Sequence, residues 1–230
     1  MIYVTGDTHG DIKRFYNLKT HDGNDLCKQD KLIICGDFGF VFYPESYKSH
    51  QKDINNLNYL QTLPYEILFV SGNHENFDLL RKFPNEQRYG GTVRKIRNNV
   101  FLLKRGEIYT IEEKTFFAMG GAYSRDKYMR IKGESWWEEE LPCREEYKNA
   151  SDNLKKFNHR IDYIITHTAP QSAILLMREH IDYHDAELTG FLDWIYHDVE
   201  FSHWYFGHWH RDKKISSKVN ACYTDILEVK

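Results

Sequence analysis

Five short apolar runs punctuate the chain: IYVT (2–5), LIIC (32–35), ILFV (67–70), IDYIIT (161–166) and HWYF (203–206). Each has the length and the β-branched or aromatic content of a strand. Between them lie stretches patterned as helices: DIKRFYNL (11–18), SYKSHQKDINNLNYLQTL (46–63), NFDLLRKF (76–83), REEYKNASDNLKKF (144–157) and AELTGFLDWIYHD (186–198). The last sets Leu188, Phe191, Leu192 and Ile195 on one helical face. Strands alternating with helices imply a largely parallel sheet. From Val100 to Gly121 the pattern changes to VFLL, EIYTI and KTFFAMGG with short links, which predicts neighbouring strands of a meander and a second sheet.

The residues after each of the five strands carry the chemistry. They read GDTHG (6–10), GDFG (36–39), SGNHE (71–75), HTAP (167–170) and GHWH (207–210). Ligands of open α/β sheets collect beyond the carboxyl ends of the strands, so these loops are expected to meet. They would bring together Asp7, His9, Asp37, Asn73, His74, His167, His208 and His210, all oxygen or imidazole donors. Residues i and i+2 of an extended or tightly turned segment project to one side, so Asp7 with His9, and His208 with His210, can each serve a common centre. Glycines 6, 36, 72 and 207 just ahead of them allow sharp turns or a close approach to a ligand. Mixed carboxylate and imidazole donors suit manganese, iron or zinc better than a soft thiolate site would.

Composition narrows the partners. A chain of 230 residues with 41% hydrophobic and 15% aromatic content fits one compact α/β domain. Its formal charge of -3 and pI of about 6.5 provide no general positive field for nucleic acid or an anionic membrane, so any phosphate recognition must be local. Cys27, Cys35, Cys143 and Cys222 match no CxxC spacing and read as reduced and mostly structural. No signal-peptide pattern and no membrane-length apolar run is present, which leads to the expectation of a soluble cytoplasmic protein.

The ordered blocks GDTHG, GD, GNHE, the lone histidine of HTAP, and GHWH resemble the signature of the calcineurin-like metallophosphoesterases, over residues 6–210. The resemblance implies a single domain over 1–230 with a four-layer α/β/β/α sandwich, two mixed sheets flanked by helices, and a binuclear metal centre at one edge. It implies Asp7, His9 and His210 as ligands of a first metal, Asn73, His167 and His208 as ligands of a second, and Asp37 as the bridge. One carboxylate can hold two cations about 3.5–4 Å apart, and a water shared between them loses a proton near neutral pH to become a nucleophile. The implied cofactors are two divalent or trivalent transition-metal ions, manganese foremost, with iron or zinc as alternatives. His74 matches the family's catalytic histidine, which stabilises the phosphoryl group and protonates the departing oxygen. The implied activity is hydrolysis of a phosphoester, as a phosphatase or phosphodiesterase. The alternatives are a metal-bound interaction module without catalysis, and a nuclease-type phosphodiesterase.

One departure from the pattern is informative. Protein Ser/Thr phosphatases continue the second block with an acid that orients the catalytic histidine and an arginine that binds phosphate. Here GDFGFVF places Phe40 and Val41 there, which argues against a phosphoprotein phosphatase and leaves Glu75 as the nearest carboxylate in sequence for His74.

Outside the blocks, GGAYSRDKYMRIKGESWWEEE (120–140) suggests a loop over the metal edge. Arg125 or Arg130 would clamp a phosphate there, and Trp136 or Trp137 would stack on an aromatic moiety. The weighed alternative is a solvated basic loop anchored by its tryptophans. The cluster Arg88, Arg94, Lys95, Arg97, Lys104 and Arg105 reads as a solvated strand face, so the favoured partner is a small phosphoester or nucleotide-like molecule rather than nucleic acid. HIDYH (180–184) lacks the glutamate of a zincin helix and reads as surface. His-Asp pairs at 21/22, 184/185 and 197/198 would fit a helical HD phosphohydrolase, but here the donors follow strands.

Overall fold

The computed structural model describes residues 1–16, 18–20 and 23–229; the 21/22 pair lies outside the described residues. Two sheets dominate. The first contains β1 (Ile2–Thr5), β2 (Lys31–Ile34), β3 (Glu66–Phe69), β4 (Asn85–Arg88), β5 (Gly91–Arg97), β6 (Val100–Leu103) and β13 (Leu227–Glu228), in the order β13-β1-β2-β3-β6-β5-β4. The second is ordered β11-β12-β10-β9-β8-β7, from β7 (Ile108–Ile111), β8 (Lys114–Met119), β9 (Arg160–Thr166), β10 (Glu200–Phe206), β11 (Lys213–Ser216) and β12 (Val219–Ala221). Within the first sheet β1, β2, β3 and β6 run parallel, as do β8, β9, β10 and β12 within the second.

Side-chain alternation along the strands builds the layers. Leu32, Ile34, Ile67 and Phe69 face outward onto Leu57 and Leu60 of α1 (His50–Thr62) and Leu79 and Leu80 of α2 (Phe77–Lys82). Ile33, Cys35, Leu68 and Val70 face inward, against Phe116, Ala118, Tyr163 and Ile165 of the other sheet. The second sheet's outer face packs on α3 (Arg144–Lys156), α4 (Gln171–Leu176) and α5 (Ala186–Asp198) through Ala150, Leu154, Ile174, Leu188, Leu192 and Ile195. The result is the four-layer α/β/β/α sandwich, with strands buried on both faces as parallel sheets require.

The meander expected over 100–121 is corrected by the pairing. VFLL is β6 and pairs with β3 and β5 in the first sheet, whereas EIYTI and KTFFAM form the β7–β8 hairpin of the second. The chain changes sheets at Lys104–Glu107. The segment 11–18 yields only one short 3-10 turn, Ile12–Phe15. The solvated-face reading of the basic cluster also fails in part. Arg88 pairs with Glu66 and Glu86, Arg94 donates to the carbonyls of Leu80, Arg81 and Phe83, and Arg105 binds Glu146 and the Glu139 carbonyl. All four cysteines are free; Cys35 and Cys222 are buried, while Cys27 and Cys143 are exposed. Among the described residues no helix is long and apolar enough to cross a membrane.

Candidate metal centre

The ends of β1, β2, β3, β9 and β10 converge where the two sheets meet. His9, Asp37, His208 and His210 all adopt positive φ, between 45° and 64°, a conformation uncommon in non-glycine residues and characteristic of functional turns. The glycines ahead of them allow the approach. A Cβ on Gly207 would lie 2.2 Å from Asp7 Oδ1, and one on Gly36 2.2 Å from His167 Nδ1. Backbone amides hold the carboxylates in place: His208 N donates to Asp7 Oδ1 at 2.9 Å, and Asn73 N and His74 N donate to Asp37 Oδ1 at 2.9 and 2.8 Å.

Asp37 stands between two donor groups. On one side, His9 Nε2 and His210 Nε2 are 2.9 Å apart, His210 Nε2 is 3.1 Å from Asp7 Oδ2, and His9 Nε2 is 3.7 Å from Asp37 Oδ2. Ligand atoms of Asp7, His9, Asp37 and His210 all lie within 4.8 Å of one another. Ligands about 2.0–2.2 Å from one ion lie at most about 4.4 Å apart, so these four need to close in only slightly around a metal. On the other side, His167 Nε2 is 3.3 Å from Asp37 Oδ1 and 3.0 Å from Asn73 Oδ1, with the His208 ring 5.0 Å from that of His167. Asp7, His9, Asp37 and His210 thus form a compact donor group that could hold a metal ion, with Asn73, His167 and His208 gathered on the other side of Asp37.

The electrostatics agree with ligand duty. Burial lowers His9 and His74, against the pull of the Asp37 charge, and lowers His208 to about 3, so these rings keep free lone pairs at neutral pH. His210 is raised by its hydrogen bond to Asp7. Burial opposes the Asp37 charge, yet the rings of His167, His74, His9 and His208 together hold its carboxyl well below the ordinary range.

The residues singled out for substrate divide. Arg130, nearly buried, places Nη2 3.1 Å from His74 Nε2 and 2.9 Å from Asp126 Oδ2. Arg125 is exposed, turned toward Asp182 at 3.8 Å and lying over the Trp209 ring. Trp137 is a correction: it is buried, and its Nε1 donates to Asp78 Oδ2 at 2.8 Å, which leaves no face for stacking. Trp136 is half-buried beneath Lys127. Glu75 is a second correction. It is fully buried and accepts from Phe38 N at 2.6 Å and Gly72 N at 2.7 Å, tying two site loops together rather than orienting His74. Phe40 and Val41 belong to the core beneath the first sheet. His180 and His184 are exposed; His184 stacks on Tyr123 at 4.2 Å, and the 197/198 pair closes α5.

Two recesses flank the centre and both are lined by His74. One, of about 160 Å³, is walled by His9, Gly39, Phe42, Tyr43 and Lys52. The other, of about 440 Å³, is walled by Tyr123, Arg125, Arg130, His208, Trp209 and Arg211. Phe42, Tyr43, Tyr123 and Arg211 line these recesses although none belongs to the carboxylate, amide and imidazole set that marks the strand ends in the sequence. Ser124 is a further omission. It follows β8, a sixth strand end, and accepts from Asn73 Nδ2 at 3.1 Å.

The sequence model of the calcineurin-like phosphoesterase family matches residues 1–212. This chain belongs to that family. Among curated relatives, the chain is 25% identical over 190 residues to the lariat debranching enzyme of Caenorhabditis elegans, an overlap of 74% of this chain and 37% of that one. A solved structure from Staphylococcus aureus, described as a candidate 5′-nucleotidase in complex with alpha-ketoglutarate, superposes with a TM-score of 0.53 at 13% identity. The match covers 100% of this chain and 51% of that one, and at this identity it speaks to fold alone. The chain spans about half the length, or less, of these relatives.

Proposed function

We propose that this chain hydrolyses phosphoesters using two transition-metal ions. The observation that carries the reading is the position of Asp37, buried between the Asp7, His9 and His210 donors and the Asn73 and His167 donors. Asp7, His9, His210 and Asp37 would hold one ion, and Asn73, His167, His208 and Asp37 the other. Bound there, the pair supplies water activation near neutral pH and charge neutralisation on the phosphoryl oxygens. Imidazole with carboxylate and amide oxygen favours manganese, with iron and zinc as alternatives.

The protein's own groups do the rest. His74, at the junction of the two recesses, would face the phosphoryl group and, in its protonated form, deliver a proton to the departing oxygen. Arg130 beside it binds a phosphoryl oxygen with a charge-assisted donor. Recesses on both sides of His74 leave room for two ester arms, which favours a diester over a monoester. A planar arm such as a nucleobase fits against Phe42 and Tyr43.

The test compares thymidine 5′-(4-nitrophenyl phosphate) with 4-nitrophenyl phosphate under Mn²⁺, Fe²⁺ and Zn²⁺. We expect at least a tenfold higher kcat/KM for the diester. A monoester preference overturns the diester clause, and no turnover of either ester with any of these metals overturns the hydrolase reading.

A further inference from the structure

The loop from Gly120 to Pro142 buries a carboxyl next to the centre that none of the roles above uses. Glu140 is 2% exposed, and among the described residues neither of its carboxyl oxygens has a hydrogen bond of regular geometry. Its backbone is fixed: Glu140 O accepts from Ala122 N and Arg105 Nη2, both at 3.2 Å, and Glu140 N donates to Trp137 O at 3.2 Å. The Ser124 hydroxyl and the Trp137 amide are the polar groups that act on the carboxyl, and the Arg130 guanidinium is nearby. A buried carboxyl so poorly satisfied costs folding free energy, and its presence calls for an explanation.

Ser124 in turn meets the side-chain amide of Asn73. That amide is buried, with Nδ2 donating to Ser124 Oγ at 3.1 Å and Oδ1 3.0 Å from His167 Nε2. Turned over, the amide would present N–H groups where a cation needs an oxygen. Ser124 Oγ can take the Nδ2 hydrogen only while its own hydrogen points elsewhere. An adjoining carboxyl oxygen, ionised or neutral, is an acceptor for it. We propose that Glu140 is a positioning residue, which through the Ser124 hydroxyl orients the Asn73 amide so that Oδ1 faces the cation shared with Asp37 and His167. The proposal rests on the two-metal reading. Partners behind a metal ligand set its orientation, and their removal commonly weakens binding by about 10–100-fold.

The test is calorimetric titration of the metal-free full chain with Mn²⁺, beside the thermal midpoint of the same metal-free samples. The parent should take up two ions. Ser124→Ala and Glu140→Leu should each weaken one of the two by about tenfold and leave the other unchanged, with metal-free midpoints at pH 6 no lower than the parent's by more than a few degrees. The double variant should lose no more than the worse single one, because both cut the same chain. Glu140→Gln, which keeps an acceptor for Ser124, should stay within threefold of the parent. Parent-like affinities in Ser124→Ala, or losses that add in the double variant, overturn the proposal. If Glu140→Leu fails to fold, Glu140→Ala, which removes the acceptor without adding a bulky apolar group, takes its place, and parent-like affinity in that variant overturns the proposal. A parent that binds no Mn²⁺ sinks the two-metal reading and this proposal together, whereas two parent sites with unaltered variants sink the proposal alone.

Discussion

Arg130 Nη2 sits 3.1 Å from Nε2 of His74. A guanidinium only donates, so in this arrangement the histidine nitrogen accepts, and both side chains await a better partner. A phosphoryl oxygen arriving there would draw the Arg130 donor to itself, and a donor from His74 once Nε2 takes up a proton. Arg130→Ala should therefore lower kcat/KM by about tenfold or more, the scale of losing one charge-assisted contact to the reacting group. Arg125→Ala, on an exposed side chain turned toward Asp182, should change it by less than about threefold. Steady-state kinetics on the aryl diester checks the pair; equal effects of the two variants would contradict the assignment.

Asp37→Asn isolates the charge of the shared carboxylate. Asparagine tolerates the φ of 45°, and its carbonyl can accept the Asn73 and His74 amides as Oδ1 does, so the fold should survive. Two cations without the carboxylate between them repel each other unscreened. Metal content by mass spectrometry should fall from two ions per chain to one or fewer, and turnover by at least about a hundredfold. Parent-level turnover in a correctly folded variant would refute the bridging role.

The donors were legible because each follows an apolar run, and a strand end is the one place where a sequence period also states a direction. Asp7, Asp37, Asn73 and the histidines needed nothing more to be brought together. Glu75 was misread because its partners are the amides of Phe38 and Gly72, and sequence does not reveal which backbone groups lack partners. β4 and β5 were hidden because charged residues occupy them, and only the folded chain brings Glu66 and Glu86 to Arg88 and Lys95. The turn at Gly106 looked like a hairpin link, but the choice between pairing and crossing to the other sheet depends on which strand edge is free. Ser124 and Glu140 escape because what stands out in the 120–140 loop is its basic residues and tryptophans, and these two are neither basic nor aromatic.

Gly207 makes the packing of the centre testable without removing a donor. A Cβ there would lie 2.2 Å from Asp7 Oδ1 and 2.5 Å from the Cys35 carbonyl, distances no van der Waals contact allows. Gly207→Ala must push β10's end, with His208 and His210, away from Asp7. We expect destabilisation of roughly 1–3 kcal/mol, from overpacking, and weaker Mn²⁺ binding although every ligand remains. Calorimetric unfolding and metal titration check both. A variant with parent stability and parent affinity would show that the strand ends are not held as tightly as the geometry requires.

Glu140 predicts a pH dependence of stability that is separate from metal binding. Burial raises its carboxyl from an ordinary value near 4.5 to about 8, with Ser124 and Arg130 only partly opposing. Between those values the unfolded chain has released this proton and the folded chain keeps it, so folding takes a proton up. Stability must then fall as pH rises through that window, by at most about 1.4 kcal/mol per pH unit from this group. The contribution is favourable to the folded state at low pH and lost above about 8, the reverse of a carboxylate held by an ion pair. Glu140→Gln has no proton to exchange. In metal-free protein under chelator it should match the parent near pH 5 and exceed its thermal midpoint at pH 8.5 by roughly 5 °C or more, given about 2–4 °C per kcal/mol for a chain of this size. Thermal melts of both proteins across pH 5–8.5 measure it. Parallel curves would mean that Glu140 is already ionised and satisfied in the folded chain, and its carboxylate would then need a partner other than those seen here.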